Sequence, residues 1–354
     1  MVSRITISII ITNYNYERYV GQAIESALHQ TRPADEIIVV DDGSTDGSRR
    51  IICSYGNRIT PIFQANEGIK SISNTGYGHS NGTLIIYLDA DDVLYPKALE
   101  QVEKMYSPGV AKIQFDLDVV DQNGSSLGRR YCNFPRPISA AETAAYFERF
   151  GTYTWPVTSG NAYSRSFLEK VMPLTPPVSH DGALNTIAPL YGLVQTIIEP
   201  LGQYRLHNRN ISRINDTGQI NIVPDFASRI RIRKQEFEIL REHARRVGKP
   251  LPHNDLLDHE LVFVNYRIMA RKLEHEDGTD ADRPLMGLWW KAILVIWHGP
   301  YGYGTAIKHL VWVCSLASLP NRLARLLIHA RYSRARPLSD LRKLLSFARL
   351  STSP

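Results

Sequence analysis

The sequence predicts an α/β fold, with a mixed, mostly parallel β-sheet flanked by helices and followed by a C-terminal α-helical region. Apolar, β-branched runs alternate with helical patterns through residues 1–120, and polar clusters follow several of these runs. Beyond residue 224 the pattern is helical and amphipathic. We therefore expect residues 1–120 and 121–223 to form two halves of one α/β domain, and residues 224–354 to form the helical region.

Residues 5–12 are the first predicted strand, because a β-branched run there is bounded by polar residues. Apolar residues then recur at helical spacing between Tyr19 and Leu28. The alternation continues with predicted strands at 36–40, 59–63 and 84–88, and predicted helices at 46–55 and 68–80. This order indicates a parallel sheet with helices on both faces.

The pattern changes after residue 110. Residues 112–120 predict a strand, and Asn123-Gly124 is a strong hairpin signal. Later predicted elements are a helix at 166–171, a strand at 194–199, and helices at 226–247 and 256–273. Two apolar stretches follow at 285–297 and 306–319.

These two stretches are shorter than the ~20 residues that a bilayer-spanning helix needs. They and their connection are rich in aromatic residues, namely Trp289, Trp290, Trp297, Tyr301, Tyr303 and Trp312. Helices that lie in the membrane interface have this character. Residues 283–354 are therefore predicted to contact a membrane surface, and the alternative is that these helices pack on the preceding domain.

The net charge of +6 is unevenly distributed. Residues 1–224 hold 19 Lys and Arg against 22 Asp and Glu, whereas residues 225–354 hold 22 against 13. The first part is therefore not a general polyanion binder, while the C-terminal part could be one. Three scattered cysteines, Cys53, Cys132 and Cys314, match neither a disulfide framework nor a zinc site. They fit a reducing, cytoplasmic location, and the N-terminal residues do not resemble a signal peptide.

Three polar clusters are predicted to meet at one edge of the sheet. They are Thr12-Asn13-Tyr14, Asp41-Asp42 and Asp89-Ala90-Asp91-Asp92, each at the carboxyl end of a strand. Ligands of such sheets bind beyond these ends. Three carboxylates within four residues favour a divalent cation that also binds substrate phosphates. Alternatively, these clusters are solvated turns and helix caps.

Together these motifs resemble the family 2 glycosyltransferases, which have a GT-A fold. The resemblance covers residues 5–215. It is carried by the sequences Ile-Thr-Asn-Tyr-Asn at 11–15, Val-Val-Asp-Asp-Gly-Ser-Thr-Asp at 39–46 and Leu-Asp-Ala-Asp-Asp at 88–92, with further similarity at 23–31 and 66–68. The implied activity is the transfer of a sugar from a nucleotide sugar, with UDP expected as the nucleotide.

The resemblance also implies roles for individual residues of the donor site. Thr12 and Tyr14 would line the nucleotide pocket, and Asp41 would bind the base. Asp89 would lie by the ribose, and Asp91 would ligate a Mn²⁺ or Mg²⁺ ion that bridges the diphosphate.

Asp181 matches the general base of an inverting enzyme, although His180 stands where the family commonly has Glu. Arg205 and His207 lie in a Tyr-Arg-x-His stretch near the end of the family's catalytic domain. Arg205 would contact the diphosphate and His207 would approach the metal; a structural ion pair and a surface histidine are the alternatives. The acceptor would be a glycan or a lipid-linked saccharide, as in bacterial cell-surface polysaccharide synthesis, with the enzyme cytoplasmic or peripheral on the inner membrane.

Other classes of protein fit less well. A dinucleotide-dependent oxidoreductase needs a glycine-rich turn after the first strand, and residues 12–20 contain no glycine. The sequence has no P-loop motif. A sugar-nucleotide nucleotidyltransferase remains open, as does a non-catalytic basic protein that binds membrane or nucleic acid. Nucleic acid is not an expected partner, because aromatic, amphipathic stretches favour lipid.

Overall fold

The structure, a computed structural model, describes residues 4–174, 180–207, 225–252, 255–273, 284–299 and 301–332, and only the backbone of residues 69 and 70. The strands are β1 Ile7–Asn13, β2 Glu36–Asp42, β3 Thr60–Gln64, β4 Leu84–Asp89, β5 Val93–Leu94, β6 Val110–Val120, β7 Ser126–Arg130, β8 Asn161–Ser164 and β9 Leu193–Arg205. The helices are α1 Val20–Leu28, α2 Ser48–Cys53, α3 Ile69–Gly78, α4 Ala98–Met105, α5 Ala140–Phe150, α6 Arg165–Leu168, α7 His180–Tyr191, α8 Phe226–Arg246, α9 Leu261–Lys272, α10 Leu285–His298, α11 Tyr303–Ser318 and α12 Asn321–Tyr332.

The strands form one mixed sheet in the order β3-β2-β1-β4-β8-β6-β9-β5, with β7 paired to β6. The pairs β2–β3, β1–β2 and β1–β4 are parallel, as is β6–β9. Strand β8 runs antiparallel between β4 and β6, and β5 and β7 also join antiparallel. The predicted α/β class is therefore confirmed.

Strands β1, β2 and β4 are continuous apolar runs because the sheet is covered on both faces. All seven residues of β1 are buried, and so are the apolar residues of β4. The pairing register places Thr12 opposite Asp89 and Asn13 opposite Asp41. The predicted polar clusters therefore do meet at one edge of the sheet.

The predicted hairpin after β6 is present. The Asp121 carboxylate accepts the backbone N–H groups of Asn123 (2.8 Å) and Ser125 (2.9 Å), and Gly124 has φ 86°. Strand β9 is longer than predicted, because it continues past Pro200 and Gly202 to Arg205. Register shifts along β6 accommodate this irregular segment, as β-bulges do. As a result, Arg205 lies at the end of a strand.

The chain divides into two compact units. The first comprises residues 1–206 and 235–254, and the second comprises residues 207–234 and 255–354. The expected halves 1–120 and 121–223 thus share one unit as far as residue 206. In the first unit, the Tyr191 hydroxyl lies 2.6 Å from Nδ1 of His243, and Lys249 Nζ donates to the Leu190 carbonyl at 3.0 Å.

The second unit has its own helical core. Buried side chains of α9, α10 and α11 form it, including Val264, Leu288 and Val313. Arg267 donates to the Asp258 carboxylate at 2.8 Å, and Lys272 Nζ donates to the Leu319 carbonyl at the end of α11, also at 2.8 Å. Within the described residues, no helix is both long enough and apolar enough to cross a bilayer.

Candidate active site

The Asp89-Ala90-Asp91-Asp92 segment lies where β4 ends at the carboxyl edge of the sheet. Each of the three carboxylates presents an oxygen within 4.8 Å of the other two. Hard divalent cations prefer carboxylate oxygens and commonly keep substrate phosphates as further ligands. The arrangement therefore fits a divalent cation.

The electrostatics of the cluster support the same interpretation. Burial, followed by the charges of Asp91 and Asp181, raises the pKa of Asp89 to about 7. Burial and the charges of Asp91 and Asp89 raise the pKa of Asp92 well above its usual range. A cation bound between these groups would oppose each of those effects, because it stabilises the ionised carboxylates.

Two further side chains hold the cluster in place. The Ser159 hydroxyl donates to the Asp92 carboxylate at 2.6 Å and accepts the Asp89 backbone N–H at 3.1 Å. The Tyr16 hydroxyl forms a hydrogen bond with Asp91, and burial together with the three carboxylates raises the Tyr16 pKa. Sequence reasoning assigned neither contact. Ser159 is 67 residues from Asp92 in the chain, so no local pattern joins them.

The predicted nucleotide-binding residues lie along the same edge. The Thr12 hydroxyl donates to the Asp89 carboxylate at 3.2 Å. Asp41 is buried and accepts the Asn13 side-chain amide at 2.7 Å and the Ser44 backbone N–H at 3.0 Å. Tyr14 is 45% exposed. Asp41 is therefore held in one orientation, and each of its oxygens can accept a further hydrogen bond. Its contact with the base of the nucleotide stays a prediction.

Other residues of the second motif shape the loop instead. The Asp42 carboxylate accepts the backbone N–H groups of Glu67 (3.0 Å) and Gly68 (2.8 Å). The Asp46 carboxylate accepts the Ser48 backbone N–H at 2.9 Å at the start of α2. Gly43 has φ 74°, and a Cβ there would lie 2.8 Å from a backbone nitrogen. Asp42, Gly43 and Asp46 therefore shape the turn, whereas Asp41 is the residue of this motif that is predicted to bind the nucleotide.

Asp181 lies in the first turn of α7 and is partly exposed. Its charge raises the pKa of Asp89, so the two carboxylates lie within electrostatic range of each other. The preceding His180 is buried, with its ring centroid 4.8 Å from that of Tyr87, and burial lowers its pKa. Neither His180 ring nitrogen has a hydrogen-bond partner among the described residues. The assignment of Asp181 as base stays a prediction.

Arg205 was predicted to contact the diphosphate. Its backbone N–H donates to the Asp92 carboxylate at 2.9 Å, and its Nε donates to the Asp91 carbonyl at 2.8 Å. Its Nη2 donates to Gln22 at 2.9 Å, and only 2% of the residue is exposed. These contacts hold the Asp91-Asp92 turn in place, and a contact between Arg205 and the diphosphate stays a prediction.

His207 was predicted to approach the metal. It is 6% exposed. Within the described part of the chain, the group of side chains close enough to share a cation consists of Asp89, Asp91 and Asp92, so it does not include His207. Its role as a ligand stays a prediction.

A buried polar network lies beneath α7. Lys112 Nζ donates to Gln114 at 2.9 Å and contacts the Tyr153 hydroxyl at 3.1 Å, and that hydroxyl donates to the Asn185 carbonyl at 2.6 Å. The Tyr163 hydroxyl donates to the Asn185 side chain at 2.9 Å. Burial lowers the Lys112 pKa well below its usual range, although the charges of Cys132 and Asp181 oppose this. The network ties the sheet to the helix that carries Asp181.

Comparison with known sequences identifies a family. Residues 8–172 match the model of Glycosyl transferase family 2. An uncharacterised glycosyltransferase of Nostoc sp. is 36% identical over 212 residues, which are 58% of this chain and 66% of that protein. Chondroitin synthase of Escherichia coli is 34% identical over 163 residues, 44% of this chain and 24% of the synthase. Hyaluronan synthase of Pasteurella multocida is 32% identical over 163 residues, 44% of this chain and 17% of the synthase.

The chain thus spans about two thirds of the Nostoc protein and under a third of either synthase. Among solved structures, S. aureus TarS 1-349 in complex with UDP-GlcNAc has a TM-score of 0.51 and 15% identity, covering 98% of this chain and 92% of that one. A second S. aureus TarS structure has a TM-score of 0.50 and 16% identity, covering 93% of this chain and 53% of that one. This likeness confirms the predicted GT-A fold.

Proposed function

Because residues 8–172 belong to glycosyl transferase family 2, we propose that the chain transfers a sugar from a UDP-sugar to a hydroxyl group of a glycan or lipid-linked saccharide, with inversion at the anomeric carbon. The main support is the sheet register, which sets Thr12 against Asp89 and Asn13 against Asp41. It brings Asp41 and the three-carboxylate cluster to one edge. This combination suits a nucleoside diphosphate.

On the donor side, Asp41 would accept a hydrogen bond from the base, and the half-exposed Tyr14 would lie beside it. Asp89 would face the ribose. Asp91, with Asp89 and Asp92 beside it, would hold Mn²⁺ or Mg²⁺. When bound, this cation supplies neutralisation of the negative charge on the diphosphate. Ser159 and Arg205 keep the carboxylates in place and so limit the reorganisation that donor binding requires.

On the acceptor side, Asp181 would act as general base. The acceptor oxygen forms a bond to the anomeric carbon while the bond from that carbon to the diphosphate oxygen breaks. The acceptor proton passes to the Asp181 carboxylate, and the nucleoside diphosphate leaves with the electron pair. A single displacement from the opposite face inverts the anomeric configuration.

Two relatives support the proposed acceptor class. Two of the relatives are named chondroitin synthase and hyaluronan synthase, and both names refer to polysaccharides. TarS 1-349 was solved with UDP-GlcNAc, which favours UDP as the nucleotide of the donor. We therefore place the chain in polysaccharide synthesis at the cytoplasmic side of the cell envelope.

The experiment that tests this function is a panel of nucleotide sugars added to the full-length chain, with Mn²⁺, with Mg²⁺, and with a chelator. Thermal shift reports binding, and release of UDP reports slow hydrolysis of the donor. We expect at least one UDP-sugar to give both signals in the presence of a divalent cation and neither with the chelator. If only nucleoside triphosphates with sugar phosphates react, the chain is a nucleotidyltransferase; if nothing binds, the proposal fails.

A further inference from the structure

Helix α10 has one exposed apolar face. Met286, Trp290, Leu294 and Trp297 are 69%, 57%, 43% and 81% exposed. Their spacing of four, four and three residues places them on one side of an α-helix. The opposite side, which includes Leu288, is buried in the core of the second unit. The exposed residues are therefore not needed to pack α10.

Helix α11 repeats the pattern. Tyr303, Ile307 and Val311 are spaced by four residues and are 86%, 42% and 61% exposed, while Val313 and Leu316 are buried. Only four residues connect α10 to α11, and buried side chains of both helices share one core. Trp297 and Tyr303 lie on either side of this connection, and the six-residue step between these positions can span at most about 20 Å. Exposed apolar faces on two successive helices usually mark an interaction site.

We propose that this surface, the aromatic face, docks on an anionic phospholipid bilayer with α10 and α11 lying in the interfacial plane. The aromatic face consists of Met286, Trp290, Leu294, Trp297, Tyr303, Ile307 and Val311. Trp and Tyr are the residues that favour the boundary between lipid headgroups and acyl chains. Helices of 14 and 16 residues are too short to cross the hydrocarbon core of a bilayer, but they can lie in the interface at its surface.

The charge around the aromatic face selects an anionic surface. Residues 284–332 contain no Asp or Glu, but they contain Lys308, Arg322, Arg325 and Arg331, and also Lys291, which pairs with Asp258 at 3.2 Å. Lys308 is exposed and follows Ile307 of the aromatic face directly. Basic residues beside an interfacial helix bind anionic headgroups.

The same charge argues against a second copy of this chain as the occupant. A symmetric dimer through the aromatic face would bring together two surfaces from segments that carry only basic charges. A bilayer containing anionic lipid supplies both the apolar layer and the opposite charge. Membrane docking would not require glycosyl transfer, so the proposal stands or falls separately from the activity.

The test uses the full-length chain and vesicles of phosphatidylcholine, with or without phosphatidylglycerol. We expect sedimentation with the phosphatidylglycerol vesicles, weaker sedimentation with phosphatidylcholine alone, and a blue shift of tryptophan fluorescence on binding. The double variant Trp290→Ser with Trp297→Ser should lose more than about tenfold in vesicle affinity, because two interfacial aromatic anchors are removed.

The matched control is Val262→Ser, at a side chain of α9 that is 54% exposed and outside the aromatic face. It should sediment as the wild type does. The double variant should keep the wild-type melting temperature and its nucleotide-sugar binding, which separates loss of docking from misfolding. Equal binding of the double variant and wild type overturns the proposal. So does a concentration-dependent dimer that the double variant abolishes while neither protein sediments with vesicles.

Discussion

Asp91 lies beside Asp89 and Asp92, two carboxylates whose ionised forms burial disfavours. In the absence of a cation this arrangement is unfavourable, because carboxylates within 4.8 Å of one another each disfavour ionisation of the others. A protein that retains it does so at a cost in stability, as functional sites often do. We therefore expect that removing the Asp91 charge raises the stability of the cation-free protein and weakens its cation-dependent binding of the donor.

We predict that Asp91→Asn stabilises the cation-free protein and abolishes cation-dependent donor binding. Asparagine keeps an oxygen that can accept the hydrogen bond from Tyr16 but removes the charge. The melting temperature with a chelator should rise by roughly 2 °C, since about 1 kcal/mol shifts it by that amount in chains of this size. Calorimetric titration should show no UDP-sugar binding with Mn²⁺.

Glu199→Gln is the control for Asp91→Asn, because Glu199 is exposed and lies on β9 away from the strand ends. Glu199→Gln should change neither the melting temperature with a chelator nor the binding of the UDP-sugar. A lower melting temperature for Asp91→Asn would mean that Asp91 supports the fold and does not strain it.

Asp181 is tested by its own variant. Asp181→Asn should reduce kcat by about 10²–10⁴-fold, the usual contribution of a general base, while UDP-sugar binding stays unchanged. The readouts are turnover with an acceptor and calorimetric binding of the donor. Turnover close to wild type would assign the base to another residue, and loss of donor binding would place Asp181 on the donor side.

The meeting of Asp41 and Asp89 at one edge could be predicted from the sequence because a single rule connects them: strand ends of a parallel sheet meet at one edge. Asp41 and Asp89 needed only the strand pattern and that rule. Arg205, Ser159 and Tyr16 could not be assigned in the same way. Each reaches the cluster through tertiary pairing, and the resemblance gave Arg205 a role at the diphosphate but did not predict its contact with the Asp91-Asp92 turn.

At the scale of elements, the predicted strands of the first half agree with the structure to within a few residues, since buried parallel strands are continuous apolar runs. Strand β9 was predicted too short. Pro200 and Gly202 look like a strand end, but the bulged pairing with β6 lets the strand continue to Arg205. The polar side chains of β6 carried no sequence signal for the network under α7, because a lysine in a strand usually faces solvent.

The network beneath α7 gives the next prediction. Tyr153→Phe removes the hydroxyl that joins Lys112 to the Asn185 carbonyl and leaves both with one partner fewer. Because the groups are buried, we expect the free energy of unfolding to fall by about 1–3 kcal/mol. Urea denaturation measures it.

Tyr131→Phe is the comparison for Tyr153→Phe, because Tyr131 is 42% exposed and water can replace the contacts of its hydroxyl. Tyr131→Phe should lower the free energy of unfolding by much less than Tyr153→Phe does. The acceptor-dependent turnover of Tyr153→Phe should also fall, since α7 carries Asp181 at its start. Full stability combined with full turnover would show that the network neither holds α7 nor positions Asp181.

At the scale of the whole molecule, the first unit is not continuous in sequence. It is formed by residues 1–206 together with 235–254, which include most of α8. The resemblance that ends near residue 215 could not predict this return, because an amphipathic helix does not show in its sequence which unit it packs against. Phe237 and Leu240 of this segment are 3% and 0% exposed.

We therefore expect a chain ending at residue 252 to melt at a higher temperature than a chain ending at residue 206, in circular dichroism. The shorter chain loses the contacts of His243 with Tyr191 and of Lys249 with the Leu190 carbonyl, both at the end of α7. In the full-length chain, Leu240→Ala should cost about 2–5 kcal/mol, because it leaves a cavity at a fully buried position. Equal melting temperatures for the two shortened chains would show instead that the first unit is complete at residue 206, and that α8 contributes to the second unit alone.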